Sequence, residues 1–297
     1  MSNTRCGFIA LSGRPNVGKS TLLNALLGTK VSIVTPRPQT TRQRITGVLT
    51  RDDAQYVFVD TPGLHGGGRR RLNRLMDQAA RHALADADVA LVLVPADRMN
   101  DDDHRIIDAA RDSGHPVVVA VNRIDRLQAK HELLPLMAKL SERHPEVADV
   151  VPVSALRRDN LDTLLQVLHG HLPASVFLYP VDALTDQSEA VRVTETVREK
   201  LMLHLREELP YGIAVGLDKF SRDDGGVNVQ AVVWVEQERH KGIVIGRGGS
   251  MLKDIGTAAR LSLRRMLGEP VHLELWVRVR RDWADDERAL EEFGYRQ

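Results

Sequence analysis

Unbroken apolar runs recur through the first part of the chain: Phe8-Ile9-Ala10-Leu11, Tyr56-Val57-Phe58-Val59, Val89 to Val94, Pro116 to Val121 and Val150 to Val153. Runs without polar alternation predict strands buried on both faces. Between them lie helical patterns over Thr21–Leu27 and Leu72–Leu84, a polar segment of helix length from about Asp101, and a closing helix from Asn160 to His169. Ile45 to Thr50 adds one more strand. Strands alternating with helices predict an α/β fold, a mostly parallel sheet with helices on both faces.

The pattern changes after His171. From Leu172-Pro173-Ala174-Ser175 to Asp186-Gln187-Ser188 there are turn residues and no clear period, which predicts a linker. Beyond it the order is helix over Val191–Leu209, strands at Ile213–Leu217 and Val227–Val235 around the turn-rich 221–226, and the short run Ile243-Val244-Ile245. The loop Gly246-Arg247-Gly248-Gly249, a helix from Ser250 to about Leu267 and a strand at Val271–Val279 follow. The expected domains are therefore residues 1–172, a linker at 173–188, and an α+β domain at 189–297.

With 297 residues the chain is long enough for each domain to own a core. At 42% hydrophobic and 27% charged it reads as soluble and globular, with no run long enough for a membrane span. Met1 to Cys6 lacks the basic flank and apolar core of a signal peptide. Cys6 is the single cysteine, so no intramolecular disulfide forms, and a reducing cytoplasm fits. A net charge of +1 says little about partners.

Chemistry enters at Gly13-Arg14-Pro15-Asn16-Val17-Gly18-Lys19-Ser20, which fits G-x-x-x-x-G-K-[ST] between a predicted strand and a helix opening at Thr21. Such a loop meets a phosphate chain with successive backbone N–H groups and a helix N-terminus, while Lys19 adds charge and Ser20 a hydroxyl for Mg²⁺. Val31 to Gln43 has no apolar period and is expected to be an exposed loop, in which Thr41, or failing that Thr40, could reach the same Mg²⁺ and a γ-phosphate. The strand at residues 56–59 ends in Asp60-Thr61-Pro62-Gly63, placing a carboxylate and an approachable backbone at a second edge of the metal site. Arg69-Arg70-Arg71 is read as a solvated charge run. Further on, Asn122-Arg123-Ile124-Asp125 and Ser154-Ala155-Leu156 each end a strand.

These elements in this order resemble the five guanine-nucleotide motifs of the TRAFAC-class GTPases. The resemblance implies that Asp125 accepts hydrogen bonds from guanine N1 and N2, that Asn122 steadies the loop and contacts the base, and that the Ala155 N–H meets O6. It implies GTP or GDP as ligand with Mg²⁺ at Ser20, Thr41 and Asp60. The nucleotide contacts would run over residues 13–21, over Asp60, Thr61, Pro62, Gly63 and Leu64, and over residues 122–125 and 154–156. Arg123 departs from the family's lysine. Leu64 stands where many GTPases carry a water-orienting glutamine, so hydrolysis is expected to be slow, with Lys19, Thr41, Gly63 and Asn16 the candidate catalytic groups. In related GTPases an asparagine at the place of Asn16 holds K⁺.

The later element order, with its G-x-x-G loop, resembles a type II KH domain, which clamps single-stranded nucleic acid. Gly246, Arg247, Gly248 and Gly249, with Lys241 and Lys253, are the candidate RNA contacts, supported by Arg260, Arg264, Arg265, Arg278, Arg280 and Arg281. Trp234, Trp276 and Trp283 are expected to pack in cores. His65 is the only histidine near the nucleotide motifs, and no histidines cluster with cysteine or carboxylate at ligand spacing, so no zinc site is expected.

A G domain followed by a KH domain is similar to the Era-like family of bacterial GTPases over essentially the whole chain. That likeness implies binding to the 3′ end of small-subunit ribosomal RNA, a role in assembling the 30S subunit, and peripheral membrane association. The alternatives are an RNA-binding protein whose nucleotide fold is only a scaffold, a related GTPase acting on the large subunit or on tRNA modification, and a P-loop kinase.

Overall fold

The computed structural model describes residues 4–63 and 70–295, so Leu64, His65 and Arg69 lie outside the described residues. The chain divides into two compact units: among the described residues one gathers 4–32, 41–63 and 76–186, the other 33–40, 70–75 and 187–295.

The first unit carries strands β1 (Arg5–Ser12), β2 (Ile45–Arg51), β3 (Ala54–Asp60), β4 (Val89–Pro95), β5 (Val117–Asn122) and β6 (Asp149–Pro152). They form one sheet in the order β2-β3-β1-β4-β5-β6, parallel throughout except that β2 runs antiparallel to β3. Side chains of a strand alternate between faces, so two cores form. Ile9, Leu11, Phe58 and Leu91 join Leu22, Leu23 and Leu164 in one, while Ala10, Val92, Val94 and Val119 join Ile107 and Leu140 in the other. The helices are α1 (Lys19–Leu27), α2 (Arg71–Ala85), which begins in the other unit's segment, α3 (Asp101–Arg111), α4 (Leu133–Arg143) and α5 (Leu161–His171). Helix α4 was not anticipated: Leu140 is its one buried residue, so its apolar stripe is thin.

The stretch expected as a linker is pinned along the first unit. Buried Gln55 accepts the backbone N–H groups of Leu178 and Tyr179 at 2.8 and 2.9 Å, and Val48 N–H donates to the Leu184 carbonyl at 2.9 Å. Its apolar side chains Val176, Leu178, Val181 and Leu184 stay exposed.

In the second unit α6 (Glu189–His204) leads to β7 (Ile213–Asp223), β8 (Gly226–Val235), α7 (Glu238–Ile245), α8 (Ser250–Leu267), β9 (Val271–Val279) and α9 (Glu287–Glu292). The sheet order is β7-β8-β9, with β7 antiparallel and β9 parallel to β8. Val193, Val197 and Leu201 of α6 and Ile255, Ala259 and Leu263 of α8 cover Val229, Ala231 and Val233. Three expectations change. The run Ile243-Val244-Ile245 ends helix α7, β7 reaches Asp223, and α6 stops five residues before Leu209 because Leu205 is extended.

The loop at residues 31–43, expected to be exposed, is half-buried. Its part in the second unit is held by α6: Arg37 donates to the Met202 carbonyl at 2.6 Å and to that of Leu205, supplying donors to a helix end that needs them. Arg198, fully buried and paired with Glu195 at 2.5 Å, donates to the Thr40 carbonyl, and the Val34 N–H donates to Glu199 at 3.2 Å. Arg70 and Arg71 are also not a plain solvated run, for they pair with Glu236 at 2.9 Å and Glu287 at 2.6 Å. Trp283 is buried and donates to the Gly212 carbonyl, and Trp234 packs on Phe293, but Trp276 is 40% exposed on edge strand β9 and belongs to no core. Among the described residues no helix is long and apolar enough to cross a membrane.

Candidate functional site

The carboxyl ends of β1, β3 and β5 and the loop after β6 bring the motifs of the first unit to one edge of its sheet. The first loop needs its glycines. A Cβ at Gly13 (φ 144°) would stand 2.7 Å from the Leu93 carbonyl oxygen, and one at Gly18 (φ 110°) 2.5 Å from Asn122 Nδ2. Gly18 also opens α1, whose first N–H groups have no side-chain cap. Lys19, buried in the loop, donates to the carbonyls of Gly13 and Arg14 at 3.0 and 3.4 Å. Arg14 turns its guanidinium away, to buried Asp103 at 2.6 Å and the Arg98 carbonyl, so only its backbone serves the loop.

Three oxygens expected around a metal converge. Ser20 Oγ donates to Asp60 Oδ2 at 2.6 Å and lies 3.0 Å from Thr41 Oγ1, which is 3.4 Å from the same carboxylate oxygen. Thr41 rather than Thr40 reaches this point, because the Thr40 hydroxyl is bound to Thr35 Oγ1 and the Arg37 carbonyl. Ser32, fully buried, donates to Asp60 Oδ2 at 3.1 Å, a contact nothing in the local sequence announces. Asp60 Oδ1 is buried and takes no hydrogen bond. Burial pushes the Asp60 carboxyl above its ordinary pKa against the opposing pull of Lys19 and the three hydroxyls, and burial pushes Lys19 down against the pull of Asp60. An orphaned carboxylate oxygen beside two hydroxyls is a hard-oxygen donor set that fits Mg²⁺.

At the base-recognition end, Asn122 Nδ2 donates to the Val17 carbonyl at 2.9 Å and Asn122 Oδ1 accepts from the Ala155 N–H at 3.0 Å. Asn122 thus braces the first loop as expected. The Ala155 N–H is given to Asn122, since a buried side-chain amide needs partners at both ends. Ser154 Oγ donates to Asp125 Oδ1 at 2.5 Å, and among the described residues the second oxygen of Asp125 has no bond. Arg123, in the left-handed region at φ 68°, donates to the Asn16 carbonyl, tying this loop to the first one. Ile124 and Leu156 flank the same region, with Leu156 exposed. Thr61 donates to the Leu11 carbonyl at 3.1 Å and is a strut of the sheet edge, while Gly63 lies against Pro15, where a Cβ would stand 3.0 Å from the Pro15 nitrogen.

In the second unit the G-x-x-G loop joins α7 to α8. Gly246 (φ 75°) has no room for a side chain, a Cβ there lying 2.7 Å from that of Met251. Gly248 and Gly249 adopt φ 60° and 81° and have nothing within 4 Å of their missing Cβ. Arg247 and Lys253 are exposed, as are Arg260, Arg264 and Arg265 along α8, and Lys241 is half-exposed. Arg278 and Arg280 contribute less free charge than expected, being paired with Asp218 at 3.4 Å and Glu292 at 2.6 Å. The exposed backbone of the loop and the charge beside it form a rail suited to phosphates of a single strand.

Comparison with known proteins finds a family for each part of the chain. Residues 8–123 match the family model described as 50S ribosome-binding GTPase, and residues 208–284 match the KH domain. GTPase Era of Stenotrophomonas maltophilia (strain K279a) is 47% identical, covering 98% of this chain and 97% of that protein. A crystal structure of an Aquifex aeolicus Era variant bound to GDP·AlF4⁻ superposes with a TM-score of 0.95 at 39% identity, over 99% of this chain and all of the other. Era in complex with MgGDPNP and nucleotides 1506–1542 of 16S ribosomal RNA matches equally well, with a TM-score of 0.95 and 39% identity over 99% of this chain and 100% of that chain. Matched from end to end at this identity, with a guanine-nucleotide domain followed by a KH domain, the chain belongs to the Era family of GTPases.

Proposed function

We propose that this GTPase uses its nucleotide state to time the binding and release of the 3′ end region of small-subunit ribosomal RNA during assembly of the 30S subunit. The observation that carries this reading is the full-length likeness to an Era structure holding both a GTP analogue with magnesium and 16S ribosomal RNA nucleotides. The exposed loop at Gly246-Arg247-Gly248-Gly249, with Lys241 and Lys253, would take the RNA backbone.

At the nucleotide, Ser20, Thr41 and Asp60 would hold Mg²⁺, which supplies positive charge to the β- and γ-phosphate oxygens. The backbone N–H groups of residues 13–21 other than Pro15 cradle the phosphates, and Lys19 turns its ammonium from the loop carbonyls toward them. Gly63 would offer its N–H to the γ-phosphate. The free oxygen of Asp125 accepts from guanine N1 and N2, and the stem of Arg123 covers the base plane. Thr41, placed between Ser20 and Asp60, follows the segment tied to α6 through Thr40 and so links the order of that segment to the metal. Asn16 would hold K⁺ beside the phosphates, supplying positive charge where an arginine finger otherwise projects.

A labelled RNA of the 3′ end sequence, titrated with protein loaded with a non-hydrolysable GTP analogue or with GDP, tests the timing. Tighter binding with the GTP analogue is expected, and equal affinity in the two states would overturn it. GTP turnover in K⁺ against Na⁺ at matched ionic strength tests Asn16: a rate indifferent to the cation removes potassium from the scheme.

A further inference from the structure

Folding joins a histidine to one carboxylate far from it in sequence and to another two residues away. His144, at the end of α4, is buried and points Nδ1 at Asp108 Oδ1 of α3 and at Glu146 Oε1, 3.5 Å from each. These three atoms lie within 4.8 Å of one another. A tetrahedral zinc ion bound to nitrogen and oxygen at about 2.0–2.2 Å separates its ligand atoms by about 3.4 Å. The two spacings from His144 Nδ1 to the carboxylate oxygens match a coordination edge. We propose that Asp108, His144 and Glu146 bind a divalent transition-metal ion of the zinc type, which ties α3 to the segment between α4 and β6.

The chemistry around His144 supports this assignment. Its Nε2 lies 2.8 Å from His104 Nδ1. In the tautomer in which His144 Nε2–H donates to His104 Nδ1, the His144 Nδ1 lone pair faces the two carboxylates. Such a grouping needs a cation, and a partner on the far nitrogen is how metal-binding imidazoles are oriented. Arg111 supplies charge in part. Its Nη1 is 3.4 Å from both carboxylates, but its shorter bonds, 3.1 and 2.9 Å, go to Asp112, and the side chain is 45% exposed, free to swing out when a metal enters.

The test is Co²⁺ titration of the full-length, chelator-treated protein held in excess GDP and Mg²⁺, which keep the nucleotide site filled. We expect one equivalent of Co²⁺ with the intense visible absorption of four-coordinate cobalt, displaced by Zn²⁺. Glu146→Gln, at an accessible position, should weaken it on the order of a hundredfold, and Arg111→Ala, which removes the competing charge, should tighten it about tenfold. Thermal melting confirms that each variant is folded. Absence of that absorption, or uptake indifferent to both substitutions, would overturn the site and leave an ion-pair network around a hydrogen-bonded histidine pair.

Discussion

Two glycine loops, each opening a helix, do opposite things with the same backbone freedom. Around Gly13 and Gly18 the glycines are demanded by protein atoms, the Leu93 carbonyl and the Asn122 amide, and the flanking Lys19 is buried. At Gly248 and Gly249 nothing crowds the missing side chains, and Arg247 points into solvent. A closed cradle can read the chemistry of a small ligand, because unpaired polar groups inside it cost binding. An open rail reads mainly charge and backbone shape, which suits a polymer.

The largest expected effect tests that reading in the closed site. Asp125→Asn should lower GTP affinity about a thousandfold and favour xanthine nucleotides, because a carboxamide donates where the carboxylate accepted. Competition between GTP and XTP measures it, and an unchanged preference would mean that the site is not read through Asp125. Next comes Gly18→Ala, whose Cβ meets Asn122 Nδ2 at 2.5 Å in a left-handed backbone. Nucleotide affinity should fall about a hundredfold through strain and displacement of that brace, while RNA affinity measured without nucleotide stays as it was; equilibrium dialysis with labelled GDP gives the number.

At the open rail, Arg247→Asp combined with Gly248→Asp should reduce RNA affinity about tenfold or more, with a shallower dependence on salt and no change in GDP affinity. Salt titrations of RNA binding decide it, and full affinity in the variant would leave the charge of α8 as the binding surface. The smallest effect is Ser32→Ala. Removing one hydrogen bond to buried Asp60 should cost about 1 kcal/mol, seen as a few-fold loss in Mg²⁺-dependent nucleotide affinity. A null result there would leave Ser20 and Thr41 as the hydroxyls that orient the carboxylate.

Much of this was legible in the chain. The strands at residues 56–59, 89–94 and 116–121 were visible because burial on both faces leaves no polar alternation, and β9 was read at Val271–Val279 with its observed limits. The motifs at residues 13–20, 60–63, 122–125 and 154–156 were readable because each is a short contiguous piece at the end of a strand, where local backbone geometry and residue type are recorded together. Helix α7 was missed because its 8 residues bury only His240 and Val244, too few to show a period. Trp276 was misplaced because residue type does not reveal which face of an edge strand is covered.

The chain alone therefore determined the two domain types, the guanine-nucleotide motifs and the glycine loops, all properties of local pattern. Tertiary structure decided that Thr41 and not Thr40 meets Asp60, that Ser32 joins them, and that the Ala155 N–H is taken by Asn122. It also decided that Arg198 holds the Thr40 carbonyl and that His144 faces Asp108 and Glu146. The reason is distance along the chain. Arg198 and Thr40 are 158 residues apart, and a hydrogen bond a few ångströms long between such residues exists only once packing has fixed both backbones.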